Sequence, residues 1–514
     1  MENFKIENGV LTEYSGRDSH VSIPHGVTSI ASMVFCHRDF IESVTVPSEV
    51  RRIGAYAFEG CRALKSVSVH DCGTDIADGA FKGCISLADK NGFVTVCGCL
   101  HDYVGGDVCI ELPEGVRRIS RLVFKDHTEL ERVKLAHDTV EIGMMAFYGC
   151  RSLKAVELHG GVRSIGFSAF EDCESLESIR LPDGVEIGSR TFKDCRAMAD
   201  GMGFLIVNGR LQGYFGNEDT VTVPIGVTKI DEPAFRGNKR IKSVILPRGL
   251  QVIGHDAFCD CASLERIVIP EGVTVVGEGA FKNCVSLTEA ALPSSLLSIG
   301  RTAFKGCSAL AVISLPDGIQ VGDGAFKGCS ALADSDGFVI IGGCLHDYSG
   351  QEACVEIPDG VVRIGFEAFA DCAAIREVSL SRHVASIGER AFKGCVLLGK
   401  IRFSDVITEI GEGAFYGCSS LKKALVPRGV RIIRKNTFGS CVSLKRAVIP
   451  SSVEVIETGA FVGCPMLKKI NLPRGAEARI FSDALDRELF CKVLKNRDII
   501  FSYDDEEDGE YADE

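Results

Sequence analysis

The sequence predicts a β-rich repeat solenoid of the leucine-rich-repeat class. Three observations predict it. A motif recurs along the chain at a fixed period, a leucine-rich pattern sits inside each period, and hairpin signals punctuate the array. The motif is A-F-x-G-C-x-S-L. Its Phe falls at 35, 58, 81, 124, 147, 170, 192, 235, 258, 281, 304, 326, 369, 392, 415, 438 and 461, which makes 17 copies. Successive spacings are 22 or 23 residues, except three of 43. A period near 20–29 residues containing L-x-x-L-x-L is one coil of a leucine-rich-repeat solenoid.

Each part of the unit has a physical reason. In Leu310-Ala311-Val312-Ile313-Ser314-Leu315-Pro316, Leu310, Ile313 and Leu315 are expected in the core, with Val312 and Ser314 outward. Pro316 ends the strand and Gly318 turns the chain. A second short strand, such as Val384-Ala385-Ser386-Ile387, leads to a Gly and then the Ala-Phe turn. Ala precedes the Phe in 13 of 17 copies, so backbones can approach while the ring fills the interior. No coil buries its own face, so only the stack is stable.

The three long spacings carry a repeated insertion. It reads Phe93 to Tyr103, Phe204 to Tyr214 and Phe338 to Tyr348, and a fourth copy opens the chain from Phe4 to Tyr14. Asn-Gly or Gly-Gly between short apolar runs signals a tight β-hairpin. Four hairpins near 4–14, 93–103, 204–214 and 338–348 therefore divide one solenoid, residues 1–475, into blocks of three, four, five and five coils. After it, residues 476–503 read as a C-terminal cap with one amphipathic helix, Ser482 to Asn496. Residues 504–514 hold eight acids and no base and read as a disordered acidic tail.

The I-G-x-x-A-F-x-G-C-x-S-L-x-x-V-x-I-P unit and the F-x-I-x-N-G-x-L-x-x-Y-x-G hairpin resemble the BspA-like leucine-rich repeat family, over about residues 3–475. The resemblance implies a binding scaffold. The family's better-known members are bacterial surface adhesins, and it supplies no catalytic motif.

Composition narrows the function. The chain has 514 residues, 57 basic and 70 acidic, for a net charge of −13. That balance argues against a general nucleic-acid binder. No run of ~18 apolar residues predicts a membrane span. The start, Met1 to Gly9, shows neither a basic nor an apolar leader pattern, so no signal peptide is expected. Fourteen of the 23 cysteines sit three residues after the repeat Phe. Such a column reads as buried, reduced thiols packing a turn, which points to a cytoplasmic location.

Other cysteines have metal-ligand spacing: Cys97, Cys99 and His101, and Cys344 and His346. Two of the four hairpins lack these residues, so hairpin decoration is the expectation and no metal or cofactor is assigned. Gly322-x-Gly324 and Gly411-x-Gly413 recur in register with the coil and read as turn glycines, not a phosphate loop. The eleven His have no registered Ser or Asp partners, so no catalytic residue is assigned.

The outward strand position eight residues after the Phe is more informative. In the last four coils it carries Lys400, Lys423, Arg446 and Lys469, with Arg402 beside Lys400. Lys422, Lys445 and Lys468 precede the last three rungs. Like charges on adjacent strands are destabilising. The ladder reads either as a solvated face or as a docking strip for a protein partner with an acidic surface. The expected function is a non-enzymatic protein-binding scaffold. The alternatives are an exported or surface adhesin acting on a host and, last, an enzyme.

Overall fold

The computed structural model describes residues 3–70, 73–232 and 234–471. They form two compact units, Met1–Asn217 with Lys229–Ala234, and Glu218–Thr228 with Phe235–Glu514. The expected cap and acidic tail lie outside the described residues. Both units are β-solenoids built from the same coil. Among the described residues, helix is limited to three single 3-10 turns, Ile85–Leu87, Arg196–Met198 and Ser330–Leu332.

One coil of the second unit shows how the sequence makes the fold. Its outer strand Arg266–Val268 pairs in parallel with Glu289–Ala291 of the next coil, with Arg266 opposite Glu289 and Ile267 opposite Ala290. Ile267 is buried while Arg266 and Val268 are exposed, the period-2 pattern of a half-buried strand. The short strand Val275–Val276 pairs in parallel with Ser298–Ile299. The Ala-Phe turn supplies a third ladder, because Phe281 N donates to the Ala303 carbonyl of the next coil at 2.7 Å. The glycine of I-G-x-x-A-F is required by close approach. A Cβ on Gly300 would lie 2.4 Å from Glu278 N.

The repeat Phe rings stack down the interior. Phe235, Phe258, Phe281, Phe304 and Phe326 lie 4.8 to 5.5 Å apart, with planes within 12°. The coil rise of ~4.8 Å sets that spacing. Beside the rings runs the thiol column. In thirteen coils the Cys Sγ donates to the carbonyl of the preceding coil's Phe at 3.0 to 3.2 Å. All thirteen are buried and free. Cys372, at the start of a block, makes the same bond to Tyr348 at 3.8 Å. In the first coil Arg38 takes the position and its Nη2 donates to the Tyr14 carbonyl at 2.9 Å.

Two coils shorten the expected strand to two residues. Leu310 is buried as expected, but Ile313 and Leu315 are only half-buried, and the strand shrinks to Val312–Ile313. Ser178–Ile179 behaves alike. Both coils are one residue shorter than their neighbours. The ring steps there are also long, 5.6 Å from Phe170 to Phe192 and 5.5 Å from Phe304 to Phe326.

The segments 4–14, 93–103, 204–214 and 338–348 are antiparallel strand pairs, and each carries one extra, bulged residue. The bulged residues are Thr12, His101, Gln212 and His346. At the second and fourth hairpins the bulge turns a His over the last ring of the block before it. His101 meets Phe81 edge-on at 5.3 Å, and His346 meets Phe326 likewise at 5.3 Å. At the third hairpin Gln212 Oε1 accepts from Phe192 N at 3.4 Å. The residue after the bulge mends the broken ladder. Inside a block Gly60 N donates to the Lys82 carbonyl at 2.8 Å. At the block ends Gly83 N and Gly328 N donate instead to the carboxylates of Asp102 and Asp347, at 2.7 and 2.8 Å.

These two histidines make stability acid-sensitive. Burial pushes His101 down to about 3 and His346 down to about 4. The folded state therefore excludes a proton that the unfolded chain binds below about 6.5. Their full contribution is present above that value and is lost as pH falls through it, by roughly 2 kcal/mol each at pH 5. Replacing both by Gln, the residue of the third hairpin, should flatten the decline between pH 6.5 and 5 in thermal melts. Parallel curves for the two proteins would refute the assignment.

Candidate partner-binding face

Charged residues on and just before the long strands form ion pairs from coil to coil. In several earlier coils, opposite charges answer one another between rungs. Lys65 pairs with Glu42 at 2.8 Å, Lys154 with Glu131 at 2.8 Å and Arg266 with Glu289 at 3.3 Å. The Lys65 hydrogen bond holds the Glu42 carboxyl below the usual carboxylate range. These exposed pairs contribute little stability, but they neutralise the face.

The last coils gather cations side by side. Strands Lys423–Leu425, Arg446–Val448 and Lys469–Asn471 pair in parallel, with Lys423 opposite Arg446 and Arg446 opposite Lys469. Lys422, Lys423, Lys445 and Lys468 are exposed and Arg446 is half-buried. Among the described residues, none of these five has a carboxylate within the 4.0 Å of an ion pair.

The four-rung ladder expected from sequence is not one continuous ladder. Strand Lys400–Arg402 belongs to a different sheet and pairs with Glu377–Ser379. Both cations there are engaged with Glu377, Lys400 at 3.4 Å and Arg402 at 3.0 Å. The sequence spacing placed Lys400 in the right column but did not reveal the sheet break after it. Glu377 occupies the same column one coil earlier, and its pairing with both cations is a contact between strands that the spacing does not show. A further feature went unnoticed: Ile245 and Val268 are exposed on adjacent strands of the same face in the second unit.

The cysteine and histidine residues with metal-ligand spacing are not brought together. Cys97 forms the hairpin tip with a positive φ of 47°. Cys99 lies opposite Arg118, and His101 is the bulged, buried residue over Phe81. Cys344 lies opposite Arg363, with His346 over Phe326. The turn glycines are structural, since a Cβ on Gly411 would lie 2.4 Å from Glu389 N. One group of potential metal donors does converge elsewhere among the described residues: Cys36, His37 and Glu59.

A family model described as "BspA type Leucine rich repeat region (6 copies)" matches residues 6–91, 108–200, 214–333 and 346–477, most of the chain. The chain belongs to the BspA-type leucine-rich repeat family. Solved structures similar to this BspA-type protein include a leucine-rich cell surface protein from Faecalibacterium prausnitzii, 24% identical over 92% of this chain and 93% of that one, with a TM-score of 0.36. A leucine-rich repeat protein from Bacteroides ovatus is 26% identical, covering 76% of this chain and 92% of that one, with a TM-score of 0.34. The leucine-rich repeat protein of T. pallidum is 29% identical, covering 37% and 83%, with a TM-score of 0.24. No curated protein matches the sequence. Among the described residues, no helix of this BspA-type solenoid is long and apolar enough to cross a membrane.

Proposed function

We propose that this BspA-type solenoid is a non-enzymatic scaffold that binds an acidic protein surface through its last strand rungs. One observation carries the reading. Several earlier coils pair their charges on this face from one rung to the next, whereas in the final rungs Lys422, Lys423, Lys445, Arg446 and Lys468 accumulate without a described counter-charge. Adjacent like charges oppose strand pairing, so the arrangement has a reason outside the fold. The proposed site is Lys400, Arg402, Lys423, Arg446 and Lys469, with Lys400 and Arg402 released from Glu377 when the partner arrives.

The thiol column favours a reducing compartment, hence a cytoplasmic location. A surface role, suggested by the printed name of the F. prausnitzii relative, would expose 23 cysteines to oxidation. Cell fractionation with thiol counting separates the two.

The binding test uses a labelled synthetic peptide of residues 504–514, itself eight-fold acidic. Replacing Lys400, Lys423, Arg446 and Lys469 by Ser should weaken its binding at least about tenfold at low salt, and the difference should shrink as salt screens the charges. Replacing Lys65, Lys154 and Lys242, which are paired, should change little. Removing 504–514 from the chain should strengthen binding of the added peptide, because an attached competitor is gone. Equal binding by the ladder variant and the parent would place the site elsewhere.

A further inference from the structure

The turn after each repeat Phe follows a strict rule, and one coil breaks it. Two residues after the Phe the backbone is left-handed. Sixteen of the seventeen coils carry Gly, Asp, Asn or Ser at that position, such as Gly60, Asp126, Asn283 and Ser440. The exception is His37, held at φ 56°. The residue one after the Phe forms a column on the same edge, most often filled by Lys or Arg. Here it is Cys36, and the next coil supplies Glu59, one of only two acids in the column.

These three residues meet. Each of Cys36, His37 and Glu59 offers a donor atom, and those atoms lie within 4.8 Å of one another. Cys36 Sγ stands 3.8 Å from Glu59 Oε2. A tetrahedral zinc ion with bonds of ~2.3 Å to sulfur and ~2.1 Å to oxygen sets those two ligands ~3.6 Å apart. The coil stack fixes the arrangement: the backbone bond from His37 N to the Glu59 carbonyl, 2.7 Å, ties the donors of adjacent coils together. A Cβ on Gly60 would lie 2.3 Å from His37 Nδ1, so Gly60 leaves room for the imidazole.

We propose that Cys36, His37 and Glu59 form a surface site for a zinc-class divalent cation, with the fourth position open to solvent. Thiolate, imidazole and carboxylate together suit zinc better than calcium or magnesium, which favour all-oxygen sets. On binding, a metal–sulfur bond forms and the thiol proton passes to solvent. The ion joins the first coil to the second. The site is separate from the basic rungs and stands or falls independently of the partner reading.

The full chain, stripped with a chelator and kept reduced, is titrated with Co²⁺ as the spectroscopic probe and with Zn²⁺ in competition. The expected result is one high-affinity cobalt per chain with a near-ultraviolet thiolate-to-cobalt band that Zn²⁺ removes. Cys36→Ser should abolish the band. His37→Gly installs the commonest residue of the other coils, so it should fold normally, and it should weaken binding at least about tenfold. Cys259→Ser, the other cysteine of the same column, should leave the band intact. Absence of the band in the parent, or a band of full strength and affinity in Cys36→Ser or His37→Gly, overturns the proposal.

Discussion

Phe281→Ala should be among the most damaging single substitutions in the second unit, lowering stability by about 3–5 kcal/mol. Phe281 is fully buried and is the middle ring of five. Its neighbours Phe258 and Phe304 both lie 5.1 Å away, nearly parallel. Truncation therefore removes two ring contacts and leaves a cavity that cannot collapse. The coil rise is fixed on three sides by hydrogen-bond ladders, including the bonds that Phe281 N and Phe258 N make to Ala303 and Ala280. Phe281→Leu should recover roughly half of the loss, since it refills much of the volume. Because solenoids can unfold in parts, the informative measurement is hydrogen exchange resolved by coil. Protection should fall most in the coils of Phe258 and Phe304 and fade with distance. Uniform loss across the unit would show that coupling extends along the whole stack, and an unchanged exchange pattern would deny the ring its role.

The coil was legible because each feature obeys a rule that acts within one repeat. The Phe fills the interior, the small Ala and the close-packed Gly let backbones approach, and the alternation sets the strand face. All recur in register, so the period exposes them. What stayed hidden depends on contacts between repeats. The thiol column was read as small and buried, which it is. The reason for cysteine rather than alanine is the bond from each Sγ to the preceding Phe carbonyl, and that bond spans 25 or 26 residues. The bulges at His101 and His346 were equally hidden. A hairpin signal gives the turn, but the extra residue is defined only by its partner strand.

The candidate face shows the same division. The column of Lys400, Lys423, Arg446 and Lys469 could be read because all four share one place in the period. The sheet break after Lys400 could not, because pairing is a property of two strands and each strand looks normal alone. Glu377 lies in the same column, but its ion pairs with Lys400 and Arg402 are contacts between strands, which the column alone does not show. At the other end of the chain, Cys36 and His37 were adjacent in sequence and unremarked. Their signal is a departure from the repeat, visible only once the left-handed position is known to demand Gly, Asp, Asn or Ser.

Alkaline pH should unfold this protein unusually steeply, and the thiol column should be the cause. Burial pushes Cys61 up to about 11 and Cys150, Cys329 and Cys395 up to about 12, from an ordinary thiol value near 9. Burial raises Cys84, Cys195 and Cys441 further still. The sign follows from linkage. Above pH 9 the unfolded chain releases thiol protons while the folded chain keeps them, so the thiols' contribution is complete below pH 9 and is lost as pH rises toward the folded values. Each such thiol costs about 1.4 kcal/mol per pH unit in that window. Eleven raised thiols of the column in register make the slope far steeper than a domain stability of about 5–15 kcal/mol can bear for long. Tyr14 and Tyr103 are raised by burial too and act in the same direction, so a variant must isolate the thiols. Changing Cys395, Cys418 and Cys441 together to Ala removes three donors, and at pH 7 that variant should be less stable by about 1 kcal/mol per lost bond. It also removes three retained protons, so its slope should be shallower by about 4 kcal/mol per pH unit. The two stability curves should therefore cross between pH 9 and 10.5. Curves that stay parallel through that range would mean the thiols ionise freely in the folded coil, and the column would have to be far more open to water than its burial implies.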